Sequence, residues 1–207
     1  MFSLEMTEEQ LSGRAGCYFS GVSLKRTVDH ALGAEEILAQ ESRASLLEGI
    51  PLHVLYERDL TAQQICALAH SHNARCPLSL VVIDHLQIIN TQASGKKYEN
   101  RNIALGEATR LFKVLAGRLG CPVIALSQFS RDFDKTGAKL PRLSDLRDSG
   151  NIEQDADCVT LMHRLLDGSG DRSLSETDVI VAKNRSGPCG AVKLHFNAKT
   201  ARFHDAP

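Results

Sequence analysis

The sequence predicts an α/β fold: a mostly parallel sheet flanked by helices, followed by an antiparallel β extension at the C-terminal end. Three observations carry this reading. Leu80-Val81-Val82-Ile83 is an apolar run without alternation that stops at Asp84, the pattern of a buried parallel strand ending at a site. Pro122-Val123-Ile124-Ala125-Leu126 repeats the pattern and stops at Ser127-Gln128, with a long helix-patterned segment between the two. Beyond Cys158 the chain becomes β-rich, with strand-like runs separated by short polar turns.

Taken in order, Phe2-Ser3-Leu4-Glu5 reads as a short strand, and its glutamate faces the same edge as Asp84 if the two strands are parallel. Thr7-Glu8-Glu9-Gln10 is a capping box that opens a helix to about Cys17. Residues 21 to 48 read as further helices broken at Gly33, with Ile37, Leu38, Leu46 and Leu47 spaced for packing. Leu52 to Tyr56 is a strand candidate, and Thr61 to Ala74 an amphipathic crossover helix, which together with the Asp84 strand make a βαβ unit. After Gln87 comes a polar loop, Thr91 to Arg101, and then a helix to about Leu119 with Ala104, Ala108, Leu111, Leu115 and Leu119 on one face. Residues 129 to 150 read as a loop system in which Arg131, Lys135, Lys139, Arg142 and Arg147 alternate with aspartates. The strands Cys158–Met162, Val179–Lys183, Ala191–Phe196 and Arg202–His204 complete the chain.

Composition narrows the function classes. A formal net charge of -1 and 43% hydrophobic residues exclude a generally basic nucleic-acid coat and a disordered tail, so any nucleic-acid contact is local. No apolar run approaches the roughly 18 to 20 residues of a membrane span, and the N-terminal residues do not form a signal peptide. A cytoplasmic protein is expected. The six cysteines are scattered without a C-x-x-C pair, which fits reduced thiols.

The chemistry-bearing residues gather at the ends of predicted strands. Ligands in open α/β sheets bind beyond the carboxyl ends of strands, and in a nucleotide hydrolase an aspartate placed like Asp84 holds magnesium. On this stretch alone, a helix-capping aspartate fits as well. The basic loops either track a strand's phosphates or are simply solvated. The turn Asn184 to Gly190 carries Lys183 and Arg185 to a sheet edge, where they either meet a phosphate or stand as exposed turn charges.

The assembled segments resemble the C-terminal, RecA-like motor domain of the DnaB family of replicative DNA helicases. They are Phe2-Ser3-Leu4-Glu5-Met6, Val82-Ile83-Asp84-His85-Leu86-Gln87, Tyr98-Glu99-Asn100-Arg101, Pro122 to Gln128, Ser144 to Asp157, and Lys183-Asn184-Arg185-Ser186-Gly187-Pro188, in the family's order. The resemblance implies a single RecA-like domain over residues 1–207, incomplete at its N-terminus. It implies that Glu5 polarises the water attacking the γ-phosphate, that Asp84 is the Walker B aspartate acting through Mg2+, and that Gln128 senses the γ-phosphate. Lys183 and Arg185 would be finger residues reaching the ATP of a neighbouring subunit in a homo-hexamer. Arg131, Arg147, Asp148 and Gly150 fall in the loops that follow single-stranded DNA. Primase and a helicase loader are the further partners implied.

The sequence also departs from the family. The P-loop G-x-x-x-x-G-K-[ST] does not occur; Gly95-Lys96-Lys97 lacks both the Ser/Thr and the preceding glycine. His85 stands where the family commonly has tyrosine. The expectation is therefore a motor-domain fragment of an ATP-dependent 5'-3' helicase, with little or no ATPase activity by itself and with an open strand edge and an uncovered face in its sheet. The alternatives are a P-loop-less subunit that caps or joins a helicase ring, and a RecA-like ATPase outside replication, which the Ser144 to Asp157 segment disfavours.

Overall fold

The protein is described from a computed structural model, covering residues 1–91, 101–130, 133, 140–146, 149–165 and 174–206. The chain divides into two compact units: residues 1–6, 54–159 and 182–188 form one, and residues 7–53, 160–181 and 189–207 the other.

The first unit is built on a parallel sheet of order β2-β1-β3-β4, with β1 at Phe2–Ser3, β2 at Leu55–Tyr56, β3 at Val81–Asp84 and β4 at Val123–Ala125. The register sets Phe2 opposite Ile83 and Ser3 opposite Asp84, while Val81 to Ile83 face Val123 to Ala125. The strand leading to Glu5 and the strand ending in Asp84 are thus parallel neighbours. Leu4, Ile65, Ile83, Leu86, Leu105 and Leu115 are fully buried and form this unit's core. They come from helix α4 (Ala62–Asn73), helix α5 (Arg101–Leu119) and the strand ends. Helix α4 starts on a second capping box, in which Thr61 accepts from the Gln64 amide at 3.2 Å and Gln64 Oε1 accepts from the Thr61 amide at 2.9 Å.

Two strands depart from expectation. The stretch around Asp84 is buried on alternate residues only, Val81 and Ile83 inward and Val82 half-buried. Strand β4 is hydrogen-bonded on one side, and Ile124 and Leu126 are 48% and 43% exposed. Among the described residues β4 is the last strand of this sheet, and side chains near it are correspondingly less covered than those of β3.

The second unit carries helices α1 (Glu8–Ser20), α2 (Leu24–Val28) and α3 (Ala34–Glu48). The Thr7 capping box is present, and α1 runs past Cys17 to end at Gly21, whose φ of 77° gives the left-handed cap. Ile37, Leu38 and Leu46 do not pack as their spacing suggested; they are 44%, 63% and 46% exposed. Helix α3 lies against α1, and Gln40 Nε2 donates to Thr27 Oγ1 at 3.0 Å, beside the fully buried Cys17.

An antiparallel sheet follows, in the order β5-β6-β7-β8 and spanning Cys158–Arg164, Leu174–Asn184, Gly190–Asn197 and Arg202–Asp205. Arg202 stacks its guanidinium 4.9 Å from the Tyr18 ring. Among the described residues no two cysteines form a disulfide. Among the described residues, no helix is long and apolar enough to cross a membrane.

Candidate nucleotide site

Glu5 and Asp84 come together because their strands are adjacent and in register. Leu4 donates its amide to the Asp84 carbonyl at 2.8 Å, which leaves Glu5 as the next residue beyond the strand end. The buried His85 ring lies between the two carboxylates, with Nδ1 3.5 Å from Glu5 Oε2 and 3.6 Å from Asp84 Oδ1. The peptide between Asp84 and His85 is cis. The side chain of Asp84 is 22% exposed and that of Glu5 is 62% exposed, so one carboxylate is sheltered while the other reaches into solvent. Ser3, fully buried, donates its hydroxyl to the Met6 carbonyl at 2.5 Å and fixes the turn that presents Glu5.

Gln128 is placed by Gln87, a residue whose role the sequence did not reveal. Gln87 is buried, at 5% exposure, and its side chain spans from the β3 end to the β4 end. Its Nε2 donates to Ser127 Oγ at 2.9 Å, and its Oε1 accepts the Gln128 amide at 3.2 Å. Two main-chain bonds, Leu86 to the Leu126 carbonyl at 2.9 Å and Leu126 to the Ile83 carbonyl at 3.0 Å, hold the same two strand ends together. A buried amide satisfied at both ends costs little and is expensive to disrupt, so the Gln128 backbone is tightly specified while its side chain stays exposed. The result is a row of Glu5, Asp84 and Gln128 along the carboxyl ends of β1, β3 and β4.

Lys183 and Arg185 occupy a second cluster in the same unit. Their bonds go to helix α6 (Ser149–Asp155) and to Asp157, which follows it. Lys183 Nζ donates to the Glu153 carbonyl, and Arg185 Nη2 to the Gln154 carbonyl at 2.6 Å. Arg185 Nη1 lies 3.4 Å from Asp157 Oδ1, while the other Asp157 oxygen accepts from Lys113 of α5. Lys113 holds the Asp157 carboxyl below the usual carboxylate range by its hydrogen bond, and the Lys113 and Arg185 charges add to the effect. One stripe of α5 (Asn102, Gly106, Thr109, Lys113) at helical spacing receives this segment. The Asn102 carbonyl accepts from Asn151 Nδ2 at 3.1 Å, and Thr109 Oγ1 donates to Asp155 Oδ2 at 2.5 Å. A Cβ on Gly106 would lie 2.6 Å from Asn151 Cγ, so only glycine admits α6 at this distance. Gly150 sits in the first turn of α6 and is exposed, whereas Arg131, Arg147 and Asp148 lie outside the described residues, as do Tyr98 to Asn100.

Helices set around a parallel sheet, with polar residues gathered at the strand carboxyl ends, are the arrangement in which open α/β folds bind ligands, and the solved structures this chain resembles are ATPase domains of this kind. A solved structure described as an ATPase domain matches with a TM-score of 0.86 and 26% identity, covering 100% of this chain and 73% of that one. A DnaB-like replicative helicase solved for its interactions with primase matches with a TM-score of 0.85 and 26% identity, covering 100% and 50%.

The chain belongs to the DnaB-like helicase C terminal domain family, which matches residues 1–205. It is 37% identical over 205 residues to the replicative DNA helicase DnaB of Leifsonia xyli subsp. xyli, covering 99% of this chain and 44% of that protein. It is 35% identical over 205 residues to the replicative DNA helicase DnaB of Mycobacterium leprae, covering 98% and 33%. The chain therefore spans less than half the length of either relative.

Proposed function

We propose that this chain is the RecA-like motor portion of a replicative DNA helicase that uses ATP to unwind DNA in the 5' to 3' direction. The observation that carries this reading is the convergence of Glu5 and Asp84 on one imidazole at adjacent parallel strand ends, with Gln128 fixed on the next strand. In this reading Glu5 orients and polarises the attacking water, and Gln128 registers the γ-phosphate. Lys183 and Arg185 reach the nucleotide bound to the next subunit of a hexameric ring, where cations offset charge developing on the transferred group.

Mg2+ usually takes one or two carboxylates and completes its shell with water and phosphate oxygens, a demand the single, partly exposed Asp84 carboxylate fits. The metal, when bound, neutralises phosphate charge; the chain's own part is to hold that carboxylate still. The nucleotide's phosphates find no P-loop in this sequence, so the chain by itself is proposed to hydrolyse ATP weakly or not at all. Arg131, Arg147, Asp148 and Gly150 are proposed to follow the backbone of single-stranded DNA, with primase and a helicase loader as partners in the cytoplasm.

The test supplies the missing element. The chain is fused behind the P-loop-bearing segment of an intact family helicase and offered forked duplexes with a 5' or a 3' single-stranded tail. ATP-dependent strand displacement from the 5'-tailed fork alone is expected. A folded, ring-forming fusion that neither hydrolyses ATP nor displaces a strand overturns the proposal.

A further inference from the structure

Residues Lys183 and Arg185 do not hang free at a turn. A helix leaves its last carbonyls without intrahelical partners and carries partial negative charge at that end. Both cations use this: the Glu153 and Gln154 carbonyls, at the C-terminal end of α6, accept from Lys183 and Arg185 respectively. The Arg185 guanidinium is also faced by Asp157, and the Arg185 amide donates to the Asp157 carbonyl at 2.8 Å. Asp157 is itself anchored from the opposite side by Lys113. The side chains of Arg185, Asp157 and Lys113 are 50%, 55% and 43% exposed, and one exposed pair of this kind holds little. Here the guanidinium meets a carboxylate and a helix-end carbonyl in fixed relative positions, which restrains a planar group that a single contact would leave turning.

We infer that Asp157 is a positioning residue for Arg185: backed by Lys113, it holds the guanidinium against the end of α6 and so aims it before any neighbouring nucleotide is present. Asp157 touches neither phosphate nor metal in this arrangement; it acts only through Arg185. The inference rests on the finger role proposed for Arg185, and deepens it by naming what sets the finger's direction. It also gives Lys113 a purpose, since a lone aspartate 55% exposed would itself be free to rotate.

The experiment reads the restraint directly on the full 207-residue chain. Arginine side-chain nuclear magnetic resonance reports rotation about the Cζ–Nη bonds of Arg185 in the wild type and in Asp157→Ala, Asp157→Asn and Asp157→Glu. Slow rotation is expected in the wild type, fast averaged rotation in the Ala and Asn variants, and slow rotation again with Glu. Lys113→Gln, which leaves the carboxylate in place but removes its anchor, is expected to be intermediate. Arg185 rotating at the same rate in a folded Asp157→Ala chain as in the wild type overturns the inference.

A second arm uses the P-loop-supplied fusion. Asp157→Ala is expected to lower kcat about tenfold with KM unchanged, a loss of orientation rather than of binding, and Glu to restore most of it. If Arg185→Ala leaves hydrolysis untouched in that fusion, the finger reading fails, and does so separately from the resonance result.

Discussion

His85 and Gln87 flank Leu86: His85 Nδ1 lies within 3.6 Å of the Glu5 and Asp84 carboxylates, and Gln87 joins two strand ends through the Gln128 amide and the Ser127 hydroxyl. Asp157 joins two segments in the second cluster as Gln87 does in the first, through Lys113 and Arg185, and its carboxyl carries a pH signature. Its folded value is depressed, so its contribution to stability is present above the unfolded value near pH 4 and is lost as pH falls through the folded value. Because the pair is exposed, the contribution is about 1 kcal/mol or less. The difference in unfolding free energy between wild type and Asp157→Asn is expected to be largest near neutral pH and to shrink below about pH 4, as read by denaturant titration at several pH values. A difference that grows in acid has the wrong sign. Asp84 and Glu5 were legible in the sequence because a carboxylate directly after an apolar run is visible locally. Gln87 and Asp157 were not, because their partners lie 40 to 41 and 28 to 44 residues away.

At the scale of elements, the fit of α6 against α5 decides where Lys183 and Arg185 end up. Asn151 lies directly over Gly106, and a methyl group there meets its carboxamide. Gly106→Ala is expected to destabilise the chain by about 1 to 3 kcal/mol through overpacking, reduced by the better helix propensity of alanine. Thermal unfolding of Gly106→Ala, Asn151→Ala and the double variant checks this: the two costs are expected to be strongly non-additive, with Asn151→Ala relieving the clash. The helices themselves were well marked. The Thr7 box and the Gly33 break are read within three or four residues, and the structure places helix ends near both. The strands were harder, because their lengths follow from pairing rather than composition: Leu52 to Tyr56 contributes only Leu55–Tyr56. Likewise, an apolar run does not distinguish a central strand from an edge, which is why Pro122 to Leu126 reads as buried yet leaves Ile124 and Leu126 exposed. Ile37, Leu38 and Leu46 show the same limit for a helix, since periodicity marks a face but not what covers it.

At the scale of the whole molecule, the fold is α/β with a parallel sheet and an antiparallel extension, as the sequence indicates, and the family is that of DnaB-like helicase C-terminal domains. The parallel sheet gathers Glu5, Asp84 and Gln128 at one end, and β4 is its last strand among the described residues. In the proposed function Glu5 serves the chemical step and not nucleotide capture. The most direct measurement compares ATP binding and ATP hydrolysis in the P-loop-supplied fusion with and without Glu5→Gln, in the presence of Mg2+. If Glu5 acts in the chemical step, binding affinity changes by less than about threefold while kcat falls by about a hundredfold or more, the mark of an interaction made only in the transition state. Hydrolysis undiminished by Glu5→Gln, or a loss of binding as large as the loss of hydrolysis, would contradict it.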